Sequence, residues 1–432
     1  MRLKFCIPAW CAAVLFPALS FSGQWTTVTR SHGLASDTVE CIVVDPNGDK
    51  WFGTANGLSR FDGSKWTTYR NDAGTKQTLA DNQIFDMAFE NGWGPELWIA
   101  TARGVSVMGI QPDAVTFATP YTVENRPLVS NRVNAVAVDS LHIKWFGTDR
   151  GVSLFNGTSW DSINRLDLAA LDILNFGYDK SSGWNYIGTR GGGVSRIKLD
   201  ALDAVTSASP YEYMWANLPT DTVHASYIEE NGWQWFGTDK GLGYHQDTQT
   251  KAGWTFFTRD SGMADDFVES IVRDRNGVLW VGTHAGVSSY DGVRWKNYST
   301  SDGLAGDIVT DIAVDLDASL WFATNRGVSH FTGTSSAASP GRFVLMSNYP
   351  NPFNPTTAIP FRLQAGAWVT ADVVDCSGRR IRTLADGRFE AGSHTLTWST
   401  SGDDAAGVYL IRVTAKGADW SVARIQKCLL LK

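Results

Sequence analysis

Seven short runs along the chain are apolar at most positions: Val39 to Asp45, Ile84 to Glu90, Val133 to Asp139, Ile173 to Asp179, Val223 to Glu229, Val268 to Asp274 and Val309 to Asp315. A strand wetted on one face alternates apolar and polar residues, whereas a strand covered on both faces does not. These runs therefore predict strands sandwiched between neighbouring sheets.

Each run is followed by the same phrase: an aromatic, an apolar residue, Gly or Ala, Thr, a short loop, then in most copies Gly with Val or Leu. The copies begin at Trp51, Trp98, Trp145, Tyr186, Trp235, Trp280 and Trp321, spaced 47, 47, 41, 49, 45 and 41 residues apart. That is the period of a four-stranded propeller blade. In the sixth copy, Asp274-Arg275-Asn276-Gly277, His284-Ala285-Gly286 and Asp291-Gly292 separate four strand-like runs ending at Trp295 to Tyr298. Such Asn-Gly and Asp-Gly pairs supply the positive φ of tight hairpin turns. The expected fold class is all-β, a seven-bladed propeller over residues 23–334.

The last repeat lacks an outer strand like Trp295 to Tyr298, while Trp25-Thr26-Thr27-Val28 near the amino end resembles Trp66-Thr67-Thr68-Tyr69. Residues 24 to 29 are thus expected to complete the seventh blade and cover its open edge. Upstream, Arg2 and Lys4 precede an apolar stretch from Phe5 to Leu19 with small residues at Ala18, Ser20 and Ser22, a signal-peptide pattern over residues 1–22. Pro8 and Pro17 interrupt that stretch, which is too short for a good membrane span. No transmembrane anchor is expected.

The formal charge of -7, without any Lys/Arg cluster, argues against nucleic acid or an anionic membrane as partner. Two of the five Cys fall in the signal segment. Cys41 lies on a first strand and reads as a small buried apolar residue, while Cys376 and Cys428 share the carboxyl-terminal part and are candidates for a disulfide.

Residues 335–342 read as a linker. From Phe343, strand-like runs at Ala358 to Leu363, Val369 to Val374, Ile381 to Leu384, Ser393 to Trp398, Val408 to Val413 and Ser421 to Leu431 read as a small immunoglobulin-like β-sandwich over 343–432. The proline-rich stretch 347–357 is expected to wrap over it.

Here the residues carry a resemblance. Tyr349, Pro350, Asn351, Pro352, Phe353, Asn354 and Pro355, with Gly378-Arg379, Gly407-Val408-Tyr409 and the ending Lys427 to Lys432, resemble the type IX secretion C-terminal sorting domain. The resemblance implies passage through the periplasm to the cell surface or medium, with the secretion machinery as partner. Val374-Asp375-Cys376 departs from that pattern, where a Tyr-containing strand end is common. The repeats likewise resemble the two-component regulator propeller repeat, through Asp274, Asn276-Gly277 and Leu279 to Thr283.

The seven His show no metal-ligand spacing, and no nucleophile elbow, P-loop or dinucleotide fingerprint occurs. No metal, cofactor or catalytic residue is assigned. The second hairpin turn of each repeat diverges informatively: Arg103, Arg150, Arg190, Lys240, His284 and Arg326 are expected to ring one mouth of the channel. Loops entering the first strands bring Asp37, Asn82, Asn131, Asp221, Asp265, Asp266 and Asp307 to the same face. Two arrangements stay open there: a cationic ring receiving an anionic group, or Arg and Lys pairing with those Asp to join blades. The expected function is an exported, monomeric, non-catalytic propeller that binds a glycan, peptide or protein. A secreted polysaccharide lyase or glycoside hydrolase is the alternative, although no paired-carboxylate signature stands out.

Overall fold

The computed structural model describes residues 22–71, 78–90, 95–110, 115–163, 168–201, 204–210, 218–245, 254–334, 343–345, 348, 353–363, 366–375, 378–400, 404–417 and 421–431. The signal segment except Ser22, the linker, Pro350, Asn351, Pro352, Cys376 and Lys432 lie outside them.

Each apolar run forms the first strand of a four-stranded antiparallel sheet whose strand order follows the chain. The first sheet comprises Val39–Val44, Lys50–Thr54, Gly57–Phe61 and Trp66–Tyr69. The seventh comprises Val309–Val314, Leu320–Thr324 and Gly327–Thr334, with Ser22–Val28 as its fourth member. In that pairing Trp25 lies opposite Phe331. Ser22, the last residue of the stretch expected to be a signal peptide, is the first residue of this strand. First strands touch first strands all the way round, with Val309–Val314 against Val39–Val44, so the sheets close a ring.

The repeated phrase is explained by where its residues point. Trp51 packs with Leu79, Ile84 and Met87 of the second sheet, while the next residue, Phe52, packs with Trp321 and Val328 of the seventh. Successive side chains of a strand face opposite ways, so two adjacent aromatics fill the wedges on both sides of one sheet. The following Gly53 is required by crowding: a Cβ there would meet Ile84 Cγ2 at 2.6 Å and collide with Cys41 Sγ. The phrase then ends in a turn in which Thr54 Oγ1 donates to the Gly57 carbonyl at 2.6 Å, and Gly57 holds φ at +115°.

At the opposite end of six of the seven sheets, the acid of the first turn anchors the aromatic. Asp45 Oδ1 accepts the backbone N–H groups of Asn47 and Asp49, and Oδ2 accepts the Trp51 indole N–H at 3.0 Å. Asp139, Asp274 and Asp315 take the indoles of Trp145, Trp280 and Trp321 in the same way, and Glu90 and Glu229 those of Trp98 and Trp235. The repeated Asp-x-Asn-Gly is thus a structural turn.

The carboxyl-terminal residues form two further sheets. One has three strands, Phe343–Leu345, Thr356–Leu363 and Gly392–Ser399; the other has four, ordered Arg380–Phe389, Ala367–Asp375, Gly407–Lys416 and Ser421–Leu430. Their inner faces share one apolar cluster that includes Phe353, Ile359, Trp398, Tyr409 and Ile411. Phe353 is bonded beside the last strand, donating to the Leu429 carbonyl and accepting from Leu431 N–H, both at 2.9 Å. Its ring lies 4.9 Å from that of Trp398, itself 5.1 Å from Tyr409.

Of the two candidates for a disulfide, Cys376 lies outside the described residues. Cys428 is a free, fully buried thiol whose Sγ donates to the Tyr409 carbonyl at 3.5 Å. It lies in the apolar cluster between the two sheets.

Candidate functional site

The Thr-Gly turns and the loops entering the first strands meet at one end of the ring through backbone hydrogen bonds. Gly57 N–H donates to Asn82 of the second sheet's entry loop, Gly151 to Leu171, Gly241 to Asp266 and Gly286 to Asp307, at 2.6 to 2.8 Å. Each turn therefore sits on the loop entering the next sheet. This end is the face the sequence singles out.

Most of the loop residues singled out by the sequence serve the backbone rather than the Arg and Lys. Asp37, Asn82, Asn131, Asp266 and Asp307 each turn back to accept a backbone N–H of their own loop, from Arg30, Asn71, Val123, Arg259 and Thr300, at 2.6 to 2.8 Å. Asp265 accepts from Asp266 N–H. Short polar side chains that satisfy local backbone groups are turn chemistry, and they are spent on it.

The six expected site residues divide by turn position. Arg150, Lys240 and Arg326 follow the Thr by two; their side chains are exposed and have no carboxylate partner among the described residues. Arg103, at the same position, pairs with Asp81 at 3.2 Å but stays 80% exposed. Arg190 and His284 follow the Thr directly and sit nearer the axis, Arg190 paired with Asp172 at 2.9 Å. Both arginine pairs lie within one sheet.

Sheets are instead joined by ion pairs at the opposite face. Lys50 reaches Asp315 of the seventh sheet at 3.1 Å, Lys144 reaches Glu90 at 2.8 Å and Arg273 reaches Glu229 at 2.6 Å. The blade-joining role considered for the turn cations belongs to these residues.

The centre of the face holds groups that the sequence did not single out. In all seven first strands the register skips one residue, the second: Glu40, Phe85, Asn134, Leu174, His224, Glu269 and Thr310. A bulge re-aims the extra side chain. Here it turns toward the axis: Glu40 of the first sheet and Glu269 of the sixth, separated by the seventh, still sense each other's charge. Burial first, and Glu269 second, hold the Glu40 carboxyl above its ordinary range. Glu269 Oε1 lies 2.9 Å from His284 Nε2, and its Oε2 lies 3.8 Å from His224 Nδ1. The Phe267 ring stacks on His284 at 3.9 Å and lies 4.6 Å from His224, whose pKa burial lowers. The innermost ring is therefore mixed and partly acidic, and the expected cations stand on the turns around it. A polar residue at the second place of five of the seven apolar runs was the available signal.

Below it, two carboxylates line the first strands. Asp86 accepts the N–H groups of Met87 and Val136, and Asp311 those of Ile312 and Ile42, all at 2.8 Å. Each spans two sheets. Burial pushes Asp86 up to about 7 and Asp311 to about 6, against the N–H donors that favour the charged form. Among the described residues no group of His, Cys, Asp and Glu is placed to hold a metal ion.

Comparison with known proteins supports the class of fold. Residues 262–285 match the family described as two component regulator propeller. The extracellular domain of the putative hybrid two component system BT3049 from B. thetaiotaomicron is similar at 19% identity and TM-score 0.59, over 94% of this chain and 57% of that one. PorZ, described as an essential bacterial surface component of the type-IX secretion system of Porphyromonas gingivalis, is similar at 17% identity and TM-score 0.54, over 93% and 60%. The WD40 β-propeller domain of Doa1 aligns at 11% identity and TM-score 0.53, over 72% and 97%. The chain thus spans well under two thirds of the length of the first two. No curated protein matches it. The chain is an all-β protein built on a β-propeller, and no helix among the described residues is long and apolar enough to cross a membrane.

Proposed function

We propose that the chain is an exported, non-catalytic binding protein. Its parts are a signal peptide over 1–22, a seven-bladed propeller over 23–334, a linker at 335–342, and an immunoglobulin-like sorting domain over 343–432 that engages the type IX machinery. The propeller binds an anionic glycan, peptide or protein on its turn face. One observation carries the binding reading: Arg150, Lys240 and Arg326 stand exposed on that face without carboxylate partners among the described residues, while other residues join the sheets. Unpaired surface cations remain free to make charge-assisted bonds to a ligand. The export reading is supported by the description of PorZ as a bacterial surface component and of the BT3049 domain as extracellular, and by the packing of the motif residues Phe353 and Tyr409. Outer-surface localisation and a monomeric state belong to the same proposal.

The test is a thermal-shift screen of the exported chain against acidic and neutral polysaccharides and small anions, beside an Arg150→Ala, Lys240→Ala, Arg326→Ala variant. A ligand at a hundred times its Kd adds roughly 2.7 kcal/mol. A shift present in the wild type and lost in the variant supports the reading; equal shifts in both sink it.

A second reading, a polysaccharide lyase or glycoside hydrolase, is favoured by the His284–Glu269 contact, because a carboxylate that orients an imidazole makes it a competent base. New reducing ends or unsaturated sugars on incubation with mixed polysaccharides, absent in His284→Ala, would establish it.

A further inference from the structure

The outer face of the four-stranded carboxyl-terminal sheet departs from what a solvated sheet face ordinarily carries. Register sets Arg388, Trp368 and Lys416 side by side in one row, and Asp372, Arg412 and Ile425 in another. Trp368 and Ile425 are 52% and 53% exposed. Arg380 and Lys427 extend the same face, so five cations share it with two carboxylates, Asp372 and Asp386. Both carboxylates are already engaged: Asp372 with Arg412 at 3.2 Å and the Thr383 hydroxyl at 2.8 Å, Asp386 with the Trp368 indole N–H at 2.8 Å. On the other sheet the exposed residues Thr395, Thr397 and Ser399 are instead neutral.

The charge is local to this part of the chain. Residues 343–432 hold 10 Lys and Arg against 7 Asp and Glu, whereas residues 23–334 hold 24 against 37. Trp and Arg are the residue types that most often anchor protein interfaces, with apolar anchors at the centre and charges steering the approach. Within the four strands the strongly exposed large apolar side chains on this face are Trp368 and Ile425, with Leu431 just past the last strand; interspersed with Thr370, Thr414 and charged groups, they fit separate anchors entering pockets rather than a continuous layer entering lipid.

We propose that this face docks an acidic protein surface of the export machinery, with Trp368 and Ile425 buried at the centre and Arg388, Arg412 and Lys416 meeting carboxylates around them. The proposal rests on reading residues 343–432 as the export address.

The experiment follows the full chain in a bacterium with type IX secretion. It compares the wild type, a chain lacking residues 343–432, a Trp368→Ala, Arg388→Glu, Lys416→Glu variant, and a Thr395→Glu, Thr397→Glu control on the other sheet. Protein outside the cell is measured against protein retained in the periplasm, and each purified chain is melted. The expected result is at least a tenfold loss outside the cell for the deletion and the Trp368 variant, with the control exported normally and the variant's melt unchanged. Normal export of the Trp368 variant beside a retained deletion overturns the docking face and leaves the address reading standing. Normal export of the deletion overturns both. If the triple variant melts early, Lys416→Glu alone, at an exposed position, decides by the same comparison. Two further results would also overturn the proposal: a salt-sensitive dimer of purified chain that the variant loses, or variant-sensitive flotation with phosphatidylglycerol vesicles. The first would seat a second copy's acidic propeller on the face, the second a lipid surface.

Discussion

The Asp311 carboxylate accepts the backbone N–H of Ile42 at 2.8 Å, joining the last sheet to the first across 269 positions of sequence. Asp86 makes the equivalent bond to Val136 between the second and third sheets. First strands expose unpaired N–H groups along their inner edge, and a buried N–H without an acceptor is costly. Two carboxylates satisfy four of these groups.

Both pKa values are raised above the usual 3.8, to about 7 and about 6, so between pH 4 and 7 the folded state holds protons that the unfolded chain has released. Stability from these groups is therefore full at acid pH and falls as pH rises toward 7. Melting temperatures measured from pH 5 to pH 8 should fall more steeply for the wild type than for Asp86→Asn, Asp311→Asn, since the other carboxylates are common to both. Parallel curves would show that these two do not titrate in that window.

Trp25 closes the ring. Its ring lies 4.5 Å from Phe331, 5.3 Å from Phe322 and 5.6 Å from Tyr298, and Gly303 gives it room, since a Cβ there would approach within 2.6 Å. Trp25→Ala should cost about 3 kcal/mol, and removal of residues 22–28 should lower the melting temperature further by opening an edge. An unchanged melt on deletion would refute closure by this strand.

Asp139 accepts the N–H groups of Leu141 and Ile143 and the Trp145 indole N–H. Asp139→Ala strands a fully buried indole donor, so a loss of about 2 kcal/mol or more is expected in urea titration. Asp139→Asn, which keeps an acceptor, should lose less.

Cys428 is buried, and burial lifts its thiol to about 12. A thiol without thiolate does not react. Peptide mapping after treatment with a thiol reagent should find Cys428 unlabelled in the folded protein and labelled in denaturant. Labelling at native conditions would mean that the carboxyl-terminal sheets open readily.

The strands and their order could be read because one physical need, filling a wedge on each side of a sheet, recurs in Trp51-Phe52, Trp145-Phe146 and Trp280-Val281 and leaves a period. The innermost site was less legible. Val39-Glu40-Cys41 and Val268-Glu269-Ser270 each read as plain strand alone, and only the recurrence of a polar residue at the second place across repeats hints that a bulge turns the Glu toward the axis. The turn acids misled for a related reason: Asp37 and Asp307 carry the right charge to pair with Arg, but a backbone N–H lies closer. In the carboxyl-terminal part, Arg380–Phe389 runs well past the predicted Ile381 to Leu384, since edge strands with polar side chains on both faces lack a hydrophobic period. Phe343–Leu345 was too short to see.

The pairing of Ser22–Val28 with Gly327–Thr334 also sets an order of events. The first strand of the propeller to leave a ribosome or a pore waits for a partner some 300 residues behind it, with Gln24 finally bonded to Thr332. Until that partner arrives, the ring is an open arc with two raw edges. A chain threaded amino end first therefore stays pliable for nearly the whole of its passage and becomes a closed body only when its propeller has come through.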